Sequence, residues 1–195
     1  ERAFPFFFIF KEGSNMKFYI SDLHFSHKNI MSMDNRPFFT VSEMNEALIN
    51  NWNSVVGNND DVYILGDMFW NNNDIPDILP KLKGKLYLIK GNHDRPNTEM
   101  TKRFVWIKDY AEIEDSGRHV VLCHYPIPCY KNHFYGWYHL YGHVHTSFEH
   151  NMMLHIKDEM TALYDKPCQI FNVGCMLPYM EYTPRTLDEI IRSCP

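Results

Sequence analysis

With 195 residues, 45% of them hydrophobic and 22% charged, the chain can bury one sizeable core and has the composition of a globular domain. A formal charge of −5 argues against broad binding to nucleic acid or an acidic membrane. No run nears the roughly 18 apolar residues that span a bilayer, and five cysteines without a Cys-x-x-Cys pair predict free thiols in a reducing, cytoplasmic setting.

Ala3 to Phe10 form a short aromatic block containing Pro5, and Gly13-Ser14-Asn15 reads as a linker. Neither a basic start nor a small-residue cleavage site marks a signal peptide. Residues 1–15 are therefore expected to be an N-terminal extension or a cloning remnant, with the domain over residues 16–195.

Lys17 to Ser21 reads as a first strand running into Asp22. Thr40 with Glu43 three residues later is a capping-box pattern that opens a helix. Met44, Ala47, Leu48, Trp52 and Val55 recur near the helical period and should form its apolar face, until Gly57-Asn58-Asn59-Asp60 ends it. Asp61 to Leu65 is a second strand ending at Gly66-Asp67, and a short helix is expected from Ile75 to Leu82. Lys85 to Lys90 is a third strand, ending at Gly91-Asn92-His93-Asp94. Further strands are expected over Ala111–Glu114, His119–Cys123, Tyr138–Tyr141 and Gln169–Val173, and a short helix over Thr186–Arg192. Strand and helix alternate in the first half and strands dominate the second, which suggests a layered α/β sandwich. The polar clusters all follow the C-terminal ends of strands, the edge where sites gather in open α/β sheets.

Five clusters carry ligand-type side chains: Asp22-Leu23-His24, Gly66-Asp67, Gly91-Asn92-His93-Asp94, His124 within Cys123-His124-Tyr125-Pro126, and Gly142-His143-Val144-His145. Carboxylate, imidazole and amide oxygen together suit divalent ions of intermediate hardness such as Mn, Fe, Ni or Zn. No thiolate belongs to the set, which argues against a structural zinc. The i, i+2 spacing of Asp22/His24 and His143/His145 would put each pair on one face of an extended segment. Each motif alone is weak, and their joint occurrence in this order is what carries weight.

In that order (Asp-x-His, Gly-Asp, Gly-Asn-His-Asp, His, Gly-His-x-His) the sequence resembles the calcineurin-like metallophosphoesterases over roughly Lys17 to Val173. The stretch from Ile20 through Asn35-Arg36-Pro37-Phe38 resembles a small, cap-less, single-domain branch found in bacteria and phages. The resemblance implies a four-layer α/β/β/α sandwich of two mixed β-sheets flanked by helices. It also implies two divalent metal ions, manganese first among them. One would be held by Asp22, His24, Asp67 and His145, the other by Asp67, Asn92, His124 and His143, with Asp67 bridging. Two divalent ions, two carboxylates and one hydroxide leave a surplus of one positive charge, which suits an anionic ester. The implied reaction is hydrolysis of a phosphodiester or phosphomonoester by a metal-bridging hydroxide. His93 would act as general acid or transition-state stabiliser, and Asp94 would orient it.

The expected partner is a small phosphate ester, a nucleotide among the options, rather than a membrane or an extended nucleic acid. Asn92, His27, Arg36 and Arg95 are candidate substrate contacts. His27 and neighbouring Lys28 and Asn29 read equally as a solvated loop or a helix start, and Arg36 as a salt bridge pinning its loop. The ring-rich stretch Cys129 to Trp137 reads either as a wall that stacks on a base or as surface packing. Lys81, Lys83, Lys85 and Lys90 read as a solvated face, and His119, His139, His150 and His155 receive no role. A nuclease or nucleotide phosphatase is the alternative enzyme, and a metal-stabilised scaffold without catalysis is the alternative of another class.

Overall fold

The computed structural model describes residues 15–194. Residues 1–14, on which nearly all of the expected extension falls, lie outside the described residues, as does residue 195. The first half contains β1 (Lys17–Ile20), α1 (Ile30–Met33), α2 (Val41–Val55), β2 (Asp61–Ile64), α3 (Ile75–Ile78), β3 (Lys85–Ile89), α4 (Thr98–Arg103) and β4 (Phe104–Lys108). There follow β5 (Tyr110–Asp115), β6 (Arg118–Cys123), β7 (Tyr138–Tyr141), α5 (Phe148–Tyr164), β8 (Ile170–Asn172), β9 (Arg185–Thr186) and α6 (Leu187–Ser193).

Two mixed sheets result. The first has the order β4-β3-β2-β1-β9, parallel except for β9, and the second has the order β5-β6-β7-β8, parallel except for β5. Cross-strand neighbours Tyr19, Tyr63 and Tyr87 stack their rings on one face of the first sheet, with Trp106 edge-on to Tyr87. Such ring pairs stabilise a sheet beyond simple burial. The second sheet is apolar on both faces. Val120 and Leu122 join the main core, while Val121 between them joins a second cluster with Met153 of α5. That alternation places β6 between two apolar layers.

α2 begins where the Thr40 hydroxyl accepts the Glu43 N–H, while the Glu43 carboxylate takes the Phe39 N–H instead of closing the box on Thr40. Met44, Leu48 and Trp52 are fully buried, and each contributes roughly 1.5–3 kcal/mol. Val55 does not share that face. It is 39% exposed, and Val56, just past the helix end, is buried in its place.

Several elements depart from expectation. α1, α4, β4 and β9 are not among the expected elements, α3 ends at Ile78 short of Leu82, and the second half is not mostly strand, because α5 runs 17 residues. Its apolar residues are spread round the axis. Only Met153 is buried, while Phe148 is 81% and Leu163 74% exposed, so no stripe announces the helix. Among the described residues no helix is long and apolar enough to cross a membrane.

The two sheets meet at one edge. Ser21, just past β1, bridges in parallel to Gly174, just past β8, through Ser21 N–H to Val173 C=O and Cys175 N–H to Ser21 C=O. The pairing of β1 with β2 also continues beyond both strands, since the N–H groups of Asp22, His24 and Phe25 donate to Gly66, Asp67 and Met68. The segments carrying the polar motifs are thereby tied side by side.

Candidate metal centre

Each candidate ligand follows a strand end: Asp22 and His24 after β1, Asp67 after β2, Asn92 and His93 after β3, His124 after β6, and His143 and His145 after β7. Both sheets contribute. The backbone there is not extended, which corrects the idea that strand alternation aligns the i, i+2 pairs. Asp22, His24, Asp67, His143 and His145 all have positive φ, at 56°, 50°, 52°, 71° and 47°. Such conformations cost about 1–3 kcal/mol each and gather where a site requires them. Close approach requires glycine as well. A Cβ on Gly91 would collide with the Asp67 carboxylate, and one on Gly66 (φ +95°) with the His124 ring.

The side chains converge in two groups. In the first, His24 Nε2 lies 3.3 Å from His145 Nε2 and 3.8 Å from Asp67 Oδ2, and His145 Nε2 lies 3.6 Å from Asp22 Oδ1. In the second, Asn92 Oδ1 lies 3.1 Å from His124 Nε2 and 3.0 Å from His143 Nδ1, and His124 Nε2 lies 3.6 Å from Asp67 Oδ2. Metal–ligand bonds of about 2.0–2.2 Å set neighbouring donors roughly 3–3.5 Å apart, so the spacing fits coordination. Asp22, His24 and His145 form one potential ion-binding group, and Asp22, Asp67 and His124 another.

No family model matches the chain. It is 36% identical over 176 residues to an uncharacterized protein of Methanocaldococcus jannaschii, a match spanning 89% of this chain and 88% of that protein. The chain belongs to the family of that archaeal protein. The gene 66 protein of Mycobacterium phage L5 is 37% identical over 83 residues, 40% of each chain. A solved Aquifex aeolicus protein of unknown function superposes with a TM-score of 0.68 at 26% identity, over 92% of this chain and 99% of its own. That solved structure shares the fold of this chain over nearly its whole length.

In this family member, hydrogen bonds fix which nitrogen each imidazole presents. His124 Nδ1 donates to the Leu65 carbonyl at 2.7 Å, which turns Nε2 towards Asn92 and Asp67. His145 Nδ1 donates to Asp34, 2.8 Å from Oδ1 and 3.0 Å from Oδ2, which turns its Nε2 towards Asp22 and His24. Burial pushes the His24 pKa down to about 2, with neighbouring His145 adding to the effect, so this ring is a neutral donor at physiological pH. Its Nδ1 is buried without a partner. Burial alone would raise the Asp67 pKa, yet His124, the His93 N–H and His24 outweigh it and lower it to about 2. His124 and His145 are pushed the other way: burial would lower their pKa values, but the carboxylates beside them, Asp67 and Asp34 foremost, outweigh it and raise them, so a cation bound there would displace protons. Carboxylate, imidazole and amide oxygen together fit a pair of divalent cations.

Asp34 escaped the sequence reading. Its carboxylate also accepts from Arg36 Nε and Nη2 at 3.1 and 2.9 Å. Arg36 is 4% exposed and donates further to the carbonyls of Leu23 and Asp22. With its donors turned inward it holds the loop, which corrects its assignment as a substrate contact. Asp94 is corrected too. Its oxygens accept the backbone N–H groups of Asp67, Met68 and Gly91 at 2.8–3.0 Å, so it staples two site loops together rather than contacting the His93 ring. Burial accordingly pushes its pKa up, against those N–H groups.

His93 faces the centre from the open side, with Nε2 4.0 Å from Asp67 Oδ2. Arg95 Nη1 donates to the carbonyls of Asn92 and Asp94. His27 is buried beneath Trp70, parallel to it at a centroid distance of 3.6 Å. A cleft of about 670 Å³ opens over the centre, with His24, His93, His143 and His145 in its wall beside His27, Trp70, Ile30 and Met33. Neither a lysine nor an arginine is among the described residues that line it. The 129–137 stretch does not reach it. Tyr130 is buried in the second cluster beside α5 and donates to the Trp137 carbonyl, and Trp137 stacks on His119, so these two rings pack while Tyr135 stays 84% exposed away from the cleft.

Proposed function

We propose that the chain is a binuclear metal-dependent phosphoesterase, of the calcineurin-like class that its motif order resembles. One observation carries the reading: Asp67 Oδ2 stands 3.8 Å from His24 Nε2 and 3.6 Å from His124 Nε2, so a single carboxylate faces both donor groups. Asp22, His24, Asp67 and His145 would hold one ion, and Asp67, Asn92, His124 and His143 the other. When bound, a pair of divalent ions supplies Lewis acidity and water made acidic enough to ionise near neutral pH.

The protein's own groups do the rest. Asn92, a neutral ligand, preserves the surplus positive charge that draws in an anionic ester. His93, partly exposed and one ring away from Asp67, is placed to give a proton to the leaving oxygen or to contact the phosphoryl group. Asp94 fixes the loops that carry Asp67 and Gly91, so its part is positional. The cleft, whose described lining residues include no lysine or arginine, suits a small ester better than an extended nucleic acid.

The test is turnover of bis(4-nitrophenyl) phosphate and 4-nitrophenyl phosphate by protein purified without chelator and supplied with Mn²⁺. Hydrolysis that EDTA abolishes and Mn²⁺ restores is expected. Absence of turnover on both esters with Mn²⁺, Fe²⁺, Ni²⁺ and Zn²⁺ would overturn the reading.

A further inference from the structure

We infer that Trp70, braced by His27, is the specificity wall of the cleft and receives the organic group of the ester as a flat ring stacked on its open face. This rests on the phosphoesterase reading of the same site.

Three observations carry it. Trp70 is 43% exposed although its ring lies parallel to His27 at 3.6 Å with an interplanar angle of 3°. His27 thus covers one face, and with His93 tilted at 45° beside the indole, its ring centre 4.8 Å away, the exposed area is the part of Trp70 that these two rings leave open. The backbone is fixed as well: the Trp70 N–H donates to the Phe25 carbonyl, and Phe25 bridges to Phe69, both of them buried. An indole held from behind and tied through its main chain loses little freedom when a ring settles on it.

The third observation is direction. His93 stands between the donor cluster and the indole, its ring centred 4.8 Å from Trp70 and its Nε2 4.0 Å from Asp67 Oδ2. Hydrolysis leaves the hydroxyl of water on phosphorus and sends a proton out with the alcohol or phenol oxygen. If His93 delivers that proton, the departing oxygen lies beside His93, and its substituent points at Trp70. The other aromatic candidate fails on position, since the 129–137 stretch packs against α5 and the outer face of the second sheet. Among the described residues the lining also offers no lysine or arginine for a second or third phosphate. The recognised class is therefore an ester with one phosphate and a planar ring, a nucleoside or a phenol.

The test uses Mn²⁺-loaded protein and three phosphonates in which CH₂ replaces the ester oxygen: benzyl-, cyclohexylmethyl- and ethylphosphonate. Each is titrated calorimetrically and as an inhibitor of 4-nitrophenyl ester hydrolysis. Stacking should make the wild type favour benzylphosphonate over ethylphosphonate by about 10-fold or more, with the bulky but puckered cyclohexyl compound falling between. Trp70→Leu should bring the benzyl preference to within about twofold, and Trp70→Phe should retain most of it. Equal metal content and an unchanged circular dichroism spectrum show that the variants are folded. A Leu variant that keeps the wild-type preference, or a cyclohexyl compound that binds as well as the benzyl one, overturns the inference while esters are still hydrolysed. A wild type that neither turns over esters nor binds any phosphonate fails the phosphoesterase reading, and the inference with it.

Discussion

His124 and His139 belong to one sheet, yet they are opposite kinds of histidine. His139 lies within β7, wholly buried, and spends both nitrogens on the backbone: Nδ1 on the Val121 carbonyl and Nε2 on the Ile127 N–H. His124 lies one residue past β6 and spends only Nδ1 that way, which leaves Nε2 to face Asn92 and Asp67. His139, buried inside its strand, is saturated by its neighbours, whereas His124, just beyond a strand end, retains a donor for a ligand. That contrast, rather than burial, separates the site from the core, since His124 is equally buried.

The largest test of the contrast concerns His93, a histidine in the cleft wall that is assigned to no ion. His93→Ala should lower turnover by roughly 10²–10⁴ with both metals retained in elemental analysis. If the metals left with the side chain, His93 would belong among the ligands instead.

Next in size is His139. Burial pushes its pKa down to about 4, while the unfolded chain titrates near 6.5. Between those values the unfolded chain binds the extra proton, so this contribution is complete above about pH 6.5 and is lost as pH falls towards 4. A proton on Nε2 would confront the Ile127 N–H. Urea unfolding of EDTA-treated protein at pH 7 and pH 5 should show the wild type losing about 2 kcal/mol more than His139→Gln over that interval. Equal losses would mean that His139 is not held neutral.

The smallest effect sharpens the picture of how the open nitrogen is aimed. Asp34→Ala should weaken metal binding about 10- to 100-fold in competition with a chelator. Asp34→Asn should recover part of that loss, since an amide oxygen can still accept from His145 Nδ1. A drop in stability with unchanged affinity would make Asp34 a loop anchor only.

Much of this was legible in the sequence because short polar motifs after hydrophobic strands imply both the sheets and what lies at their edges. The rest was hidden for identifiable reasons. Asp34 lies in a loop with no motif of its own, and its partners are Arg36, two residues on, and His145, 111 residues away. Asp94 adjoins His93 in sequence, yet neighbours in a turn point apart, and its carboxylate found three backbone N–H groups instead. Arg36 reads as a substrate contact or a loop-pinning salt bridge with equal ease, and only its burial against Asp34 and two carbonyls chooses the second. Trp70 stands alone between two motifs, and nothing local says that His27 will lie flat behind it.

The parallel bridge from Ser21 to Gly174 makes the two sheets neighbours at one seam, and the candidate ligands come from both sides of it. Cations lodged there would also fasten one half of the molecule to the other. Through mass action, each tenfold excess of free ion over its dissociation constant would then raise the free energy of unfolding by about 1.4 kcal/mol, so that holding the cofactor and staying folded become a single equilibrium.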